Sequence, residues 1–259
     1  MTQSIDIESF KSEEAARPTV RVQGNVLARA ERALLDFLCA RMPAFVTPDR
    51  LTALAGVGAG VVFLGYALAR FDPAFFWLAN LGFVIHWFGD SLDGSLARFR
   101  RVERPRYGYV LDHGSDALCN LVILGGLGLS PYVRLDVALF VLIGYYLLCM
   151  YVFLYNHASG RFQLSFLALG PTELRLGLIA INVWMFSAGP ETMRVLGQSF
   201  SIYDLTFCVI GSVFVALFVV NLAAAARRLR AEDDAVLRAR AASRAPAQRP
   251  STKLSTSAK

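Results

Sequence analysis

Of the 259 residues, 55% are hydrophobic and 18% are charged, against about 25% charged in an average soluble domain, so a wholly water-soluble globule is excluded. The net charge is +6, yet lysine occurs only at Lys11, Lys253 and Lys259, so arginine carries the positive charge of everything between. Cys39, Cys119, Cys149 and Cys208 are scattered, with no CxxC pair and no histidines at ligand spacing, which argues against a disulfide framework or a zinc site.

The opening "MTQSIDIESFKSEEAARPTV" is polar and acidic, without a basic stretch leading into an apolar one, so no cleaved signal peptide is expected. Residues 1–24 read as flexible. From Asn25 to Met42 the spacing predicts an amphipathic helix, with Leu27, Leu34, Leu38 and Met42 on one face and Asn25, Arg29, Arg32 and Asp36 on another. Such a helix can lie along the membrane interface or pack on the protein's own cytoplasmic surface. Apolar blocks then fall near residues 51–69, 74–98, 107–129, 132–156, 172–188 and 203–226. Blocks of roughly 20 residues can cross a hydrocarbon core of about 30 Å. The expected fold is therefore all-α, an integral membrane bundle of six transmembrane helices. In the first block Gly56, Gly60 and the small residues near them suggest close contact between helices.

Arginine marks alternate connections. Arg41 and Arg50 precede the first block; Arg98, Arg100, Arg101, Arg104 and Arg106 follow the second; Arg161 and Arg175 flank the fourth connection; and Arg227, Arg228 and Arg230 follow the last. The other connections hold only Arg70, Arg134 and Arg194. By the positive-inside rule both termini face the cytoplasm. After Arg230 the chain starts as a helix continuation and turns Ala/Ser/Pro/Arg-rich, which predicts disorder. The resulting division is a cytoplasmic N-terminal segment 1–45, a membrane domain 46–229 and a mostly disordered tail 230–259.

The chemistry concentrates where the second block ends. On a helix, Asp90, Asp93, Gly94, Ala97 and Arg98 form one stripe, and Gly108, Asp112 and Asp116 form a second on the next helix. Two antiparallel helices bring these carboxylates together, while the small residues leave room for a bulky ligand. Charges at membrane depth are costly, so they call for bound cations. All-oxygen ligation favours Mg²⁺ or Mn²⁺ over zinc. Metal-held carboxylates beside a basic loop suit a phosphate-bearing substrate, and Asp116, one turn deeper, is placed to take a proton from an attacking hydroxyl.

The run "DSLDGSLARFRRVERPRYGYVLDHGSD" resembles the signature D-x-x-D-G-x-x-A-R…G-x-x-x-D-x-x-x-D of the CDP-alcohol phosphatidyltransferase family, typically six-helix enzymes of phospholipid synthesis. "TPDRLT", residues 47–52, is similar to the family's lead-in to its first span, with Asp49 where Asn is common. The resemblance implies a pair of metal ions held by Asp90, Asp93, Asp112 and Asp116, with Asp116 also the base. It implies a CDP moiety bordered by Gly94, Ala97, Arg98 and Gly108. The implied reaction is attack of an acceptor hydroxyl on the activated phosphate, releasing CMP. Its substrates are a CDP-activated alcohol and a lipid or polar alcohol, among membrane lipids; no nucleic acid is expected, and a homodimer is compatible. The expected setting is a bacterial inner membrane, with the site facing the cytoplasm.

"DHGSD" and "GPTE" are similar to short stretches of choline and ethanolamine phosphotransferases. His113 points about 100° away from Asp112 on a helix, which suits packing or capping as well as substrate contact. His157, Arg161, Glu173 and Arg175 cluster around the fourth connection as candidates for binding a phosphorylated acceptor. The arginines there also satisfy topology alone. An aspartate-rich membrane prenyltransferase would call for more spans and further aspartate motifs, and a transporter for acids spread along a pathway.

Overall fold

The computed structural model describes residues 28–159, 171–195 and 198–244. Among the described residues the elements are α1 (Ala28–Arg41), α2 (Pro48–Leu68), α3 (Phe75–Phe99), α4 (Pro105–Gly128), α5 (Leu135–Ser159), α6 (Pro171–Ala188), β1 (Thr192–Val195), β2 (Gln198–Ser201) and α7 (Ile202–Arg244). The helical expectation holds, with one addition. The connection between α6 and α7 carries a two-stranded antiparallel hairpin, with Thr192 opposite Ser201 and Val195 opposite Gln198. Helices α2, α5 and α7 are each long and apolar enough to cross a membrane.

Of the two settings expected for it, helix α1 shows packing on the protein's own surface. Leu35, Leu38, Cys39 and Met42 pack with Leu51, Leu54, Phe88, Leu92 and Leu96 of α2 and α3, while Leu34 and Phe37 remain exposed on its outer side. Its C-terminal end is held from a distance. Arg100, just past α3, donates to the carbonyls of Met42 at 2.9 Å, Pro43 at 2.8 Å and Val46 at 2.5 Å. A cation there satisfies carbonyls that a helix end and its following turn leave without partners.

Helix α2 starts at a cap in which Thr47 accepts from the Arg50 amide at 3.3 Å and Pro48 occupies the first turn. It then lies backbone to backbone against α3. A Cβ on Gly65 would stand 2.5 Å from the Ala79 nitrogen, and one on Gly89 2.5 Å from the Leu51 carbonyl oxygen. The seam runs through Gly58 and Gly65 of α2 and Gly82 and Gly89 of α3. Of the small residues expected at such a contact, Gly58 makes it, while Gly56 and Gly60 face open space. They lie on α2 faces turned away from its partner; the seven-residue spacing of Gly58 and Gly65, matched by Gly82 and Gly89, is what keeps one face against another.

The main core occupies the end of the bundle formed by the C-terminal halves of α2 and α4 and the N-terminal halves of α3 and α7. Tyr66, Phe76, Phe83, Leu127, Tyr132 and Phe207 are among its buried side chains. Polar groups inside it are paired: Tyr66 donates to Asn182 at 2.9 Å, and Asn182 donates to Asn80 at 2.8 Å. At the start of α7, Asp204 accepts from the amides of Arg134 and Ser201, both at 2.8 Å, while the Ser201 hydroxyl accepts from the Asp204 amide at 2.9 Å. The reciprocal pair is a capping box with aspartate in the glutamate position.

The described residues fall into two compact units, one up to Phe218 and one from Val219 on. In the second, helix α7 continues to Arg244, through the first part of the tail expected to be mostly disordered. Its Ala, Leu, Arg and Glu content favours helix, and it carries spaced ion pairs: Arg228 to Glu232 at 3.0 Å and Arg230 to Asp234 at 3.9 Å.

Candidate active site

The acidic residues sit at the opposite end from the main core, on the C-terminal half of α3 and the N-terminal half of α4. Between these halves runs a tight connection. The Val102 amide bonds the Ala97 carbonyl at 2.9 Å, and Arg101 takes a left-handed conformation with φ 56°. That is the geometry of a helix stop usually filled by glycine. Arg104, which starts α4, pairs with Asp49 at the start of α2, and the hydrogen bond raises the guanidinium above its ordinary pKa.

Asp90, Asp112 and Asp116 each place one carboxylate oxygen within 4.8 Å of the other two. All-carboxylate donors at this spacing fit a hard divalent cation, and the cluster could hold a metal ion.

Asp93 stands apart from the other three. It is 8% exposed and turned toward α2, where one oxygen accepts from the Thr52 hydroxyl at 2.6 Å while the other accepts from the Gly94 amide at 2.5 Å. Arg98 folds over Gly94, and a Cβ there would meet its guanidinium at 3.3 Å. Ala97 is half-buried beside it, and Gly108 opens onto free space.

Of the outer candidates, Arg175 reaches the cluster by donating to Asp90 at 2.5 Å, with both side chains mostly buried. His113 stacks on Tyr109 and meets Phe153 edge-on, with ring centroids 4.3 and 5.4 Å away. Its Nδ1 bonds the Tyr109 carbonyl at 2.9 Å and lies 3.6 Å from Asp112. Its surroundings are therefore those of a packing residue at the edge of the site. His157 is exposed in the last turn of α5, and Glu173 is half-buried in the first turn of α6. Arg161 lies outside the described residues.

Sequence reasoning missed Thr52, although "TPDRLT" pointed to its neighbourhood. His86, which lies one turn before Asp90 and whose position in the sequence assigns it no role, is buried at 3% exposure, and its ring nitrogens have no hydrogen-bond partner among the described residues. Glu31 was missed as well. It accepts from Thr172 at 2.6 Å and from Trp87 at 3.0 Å.

No curated protein sequence matches the chain. Residues 45–214 match the family model described as CDP-alcohol phosphatidyltransferase. That stretch runs from α2 through the hairpin into the first third of α7 and holds all four aspartates, Arg175 and Thr52, and on it the chain belongs to the CDP-alcohol phosphatidyltransferase family.

Proposed function

We propose that the chain transfers a substituted phosphate from a CDP-activated alcohol, CDP-diacylglycerol or a CDP-aminoalcohol, to an acceptor hydroxyl, releasing CMP. The observation that carries this reading is the convergence of three carboxylate oxygens within 4.8 Å from two facing helices, inside the segment matched to the family. Asp90, Asp112 and Asp116, joined by Asp93, would hold two Mg²⁺ or Mn²⁺ ions. Bound there, such ions neutralise a diphosphate and stabilise the departing phosphate.

The remaining work falls to side chains. Asp116 takes the proton of the acceptor hydroxyl as the new O–P bond forms and the bond to CMP breaks. Gly94, Ala97 and Gly108 border the CDP moiety, supported by the open space at Gly108. The Arg98 guanidinium offers charge-assisted donors to its phosphates. Arg175 supplies positive charge on the acceptor side. The arginine pattern supports six spans, with both termini and the carboxylate end in the cytoplasm.

The test is CMP release by purified full-length protein, with CDP-diacylglycerol or CDP-ethanolamine and a panel of hydroxyl acceptors. Asp112→Asn is expected to abolish release while the protein still inserts and folds, and excess chelator is expected to do the same to the wild type. Full activity in either case would overturn the metal-dependent reading.

A further inference from the structure

Glu31 lies on the N-terminal helix, outside the segment matched to the family, yet its carboxylate gathers donors from two helices of the bundle. Oxygen Oε1 accepts from the Thr172 hydroxyl at 2.6 Å, from the Trp87 indole at 3.0 Å and from the Ser91 hydroxyl at 3.5 Å. Trp87 and Ser91 are one turn apart on α3, and Ser91 follows Asp90 directly. Thr172 is in the first turn of α6, one turn before Arg175, which donates to Asp90 at 2.5 Å.

These contacts close a ring. It passes from Glu31 to Thr172, along one turn of α6 to Arg175, across to Asp90, and back through Ser91 and Trp87 to Glu31. A solvated glutamate near a helix N-terminus needs no such partners, because the helix dipole alone accounts for it. Here the side chain is half-buried and three donors converge on one oxygen. Bonds to an ionised acceptor are about twice as strong as neutral ones. The half-buried indole N–H of Trp87 also finds its acceptor in Glu31.

We propose that Glu31 is a positioning residue. It clamps the first turn of α6 to α3 and so fixes Arg175 at the acceptor side of the carboxylate cluster, without touching either reactant. The acceptor-side role of Arg175 rests on the phosphotransfer reading; the clamp itself does not. Because α1 presents Leu34 and Phe37 outward on another face, the clamp also ties a peripheral helix to the position of a site arginine.

The test uses full-length protein in nanodiscs with Glu31→Ala, Glu31→Gln and Thr172→Val. Hydrogen exchange of the amides of residues 172–177 is expected to quicken about 10-fold in Glu31→Ala and Thr172→Val, the scale of a lost bond to a charged group. Amides of α2 and of the Phe76–Phe83 segment should keep their wild-type rates. Glu31→Gln retains an acceptor oxygen and is expected to restore most of the protection. Unchanged exchange at 172–177 in Glu31→Ala would overturn the clamp.

The functional arm follows CMP release at fixed CDP-diacylglycerol, with glycerol 3-phosphate or inositol 1-phosphate, whichever the wild type uses. Glu31→Ala and Thr172→Val should raise the acceptor KM about 10-fold and leave the CDP-diacylglycerol KM within about twofold, the split expected when only one substrate's site is loosened. Equal loss for both substrates, or no rescue by glutamine, would overturn the acceptor-side assignment. Absence of any wild-type turnover would count against phosphotransfer with these substrates, and the exchange result would still decide the clamp.

Discussion

Single side chains decide how the carboxylate cluster is prepared. Thr52 reaches from α2 to fix the Asp93 carboxylate, which on the proposed reading joins Asp90, Asp112 and Asp116 in holding metal. Thr52→Val removes that donor from a buried carboxylate. It is expected to cut CMP release about 10-fold, within the usual cost of a lost bond to a charged group, and to raise the Mg²⁺ concentration needed for half-maximal rate; Thr52→Ser should recover both. Asp116→Asn separates proton removal from donor binding. Turnover should fall by about 10²–10⁴-fold, the range of general-base contributions, while labelled CDP-diacylglycerol stays bound. Asp90→Asn should lose both, and equal loss of binding in the two variants would remove the separate base role. The stripes of Asp90 and Asp93 and of Asp112 and Asp116 were legible because helical spacing alone places them on shared faces. The turning of Asp93 toward Thr52 was not, because it depends on how two helices far apart in sequence meet.

At the level of elements, the contact between α2 and α3 is the most demanding. Gly65→Ala would put a methyl 2.5 Å from the Ala79 nitrogen, whereas Gly56→Ala meets nothing within 4 Å. Overpacking typically costs about 1–3 kcal/mol, so Gly65→Ala should lower the midpoint of thermal unfolding in detergent clearly, and Gly56→Ala should leave it unchanged or raise it. Helix existence and order could be read from apolar block length. Which small residues form the seam could not, since Gly56, Gly58 and Gly60 share one helix and only the partner's position selects among them. The hairpin of β1 and β2 also escaped notice. Its strands are four residues each, too short for alternation to stand out between two apolar helices. Arg100 was legible only as a topological charge, and its capping of the chain after α1 comes from tertiary structure.

For the whole molecule, the two ends of the bundle differ in kind: an aromatic core at one, with Asp204 bonded to backbone amides, and the cluster of Asp90, Asp112 and Asp116 with Arg175 at the other. If the second end faces the cytoplasm, cysteines engineered at positions 103 and 245 in a cysteine-free background should resist a membrane-impermeant reagent in intact cells. A cysteine at position 192 should react, and the reverse pattern would invert the orientation. The α2–α3 seam has a mechanical consequence as well. With no space for one extra methyl along it, these helices can neither slide nor roll past each other without breaking backbone contact, so they move as a single strut. Asp90 and Asp93 ride on that strut. On the phosphotransfer reading, half of the carboxylate site therefore keeps its shape while substrates enter and leave.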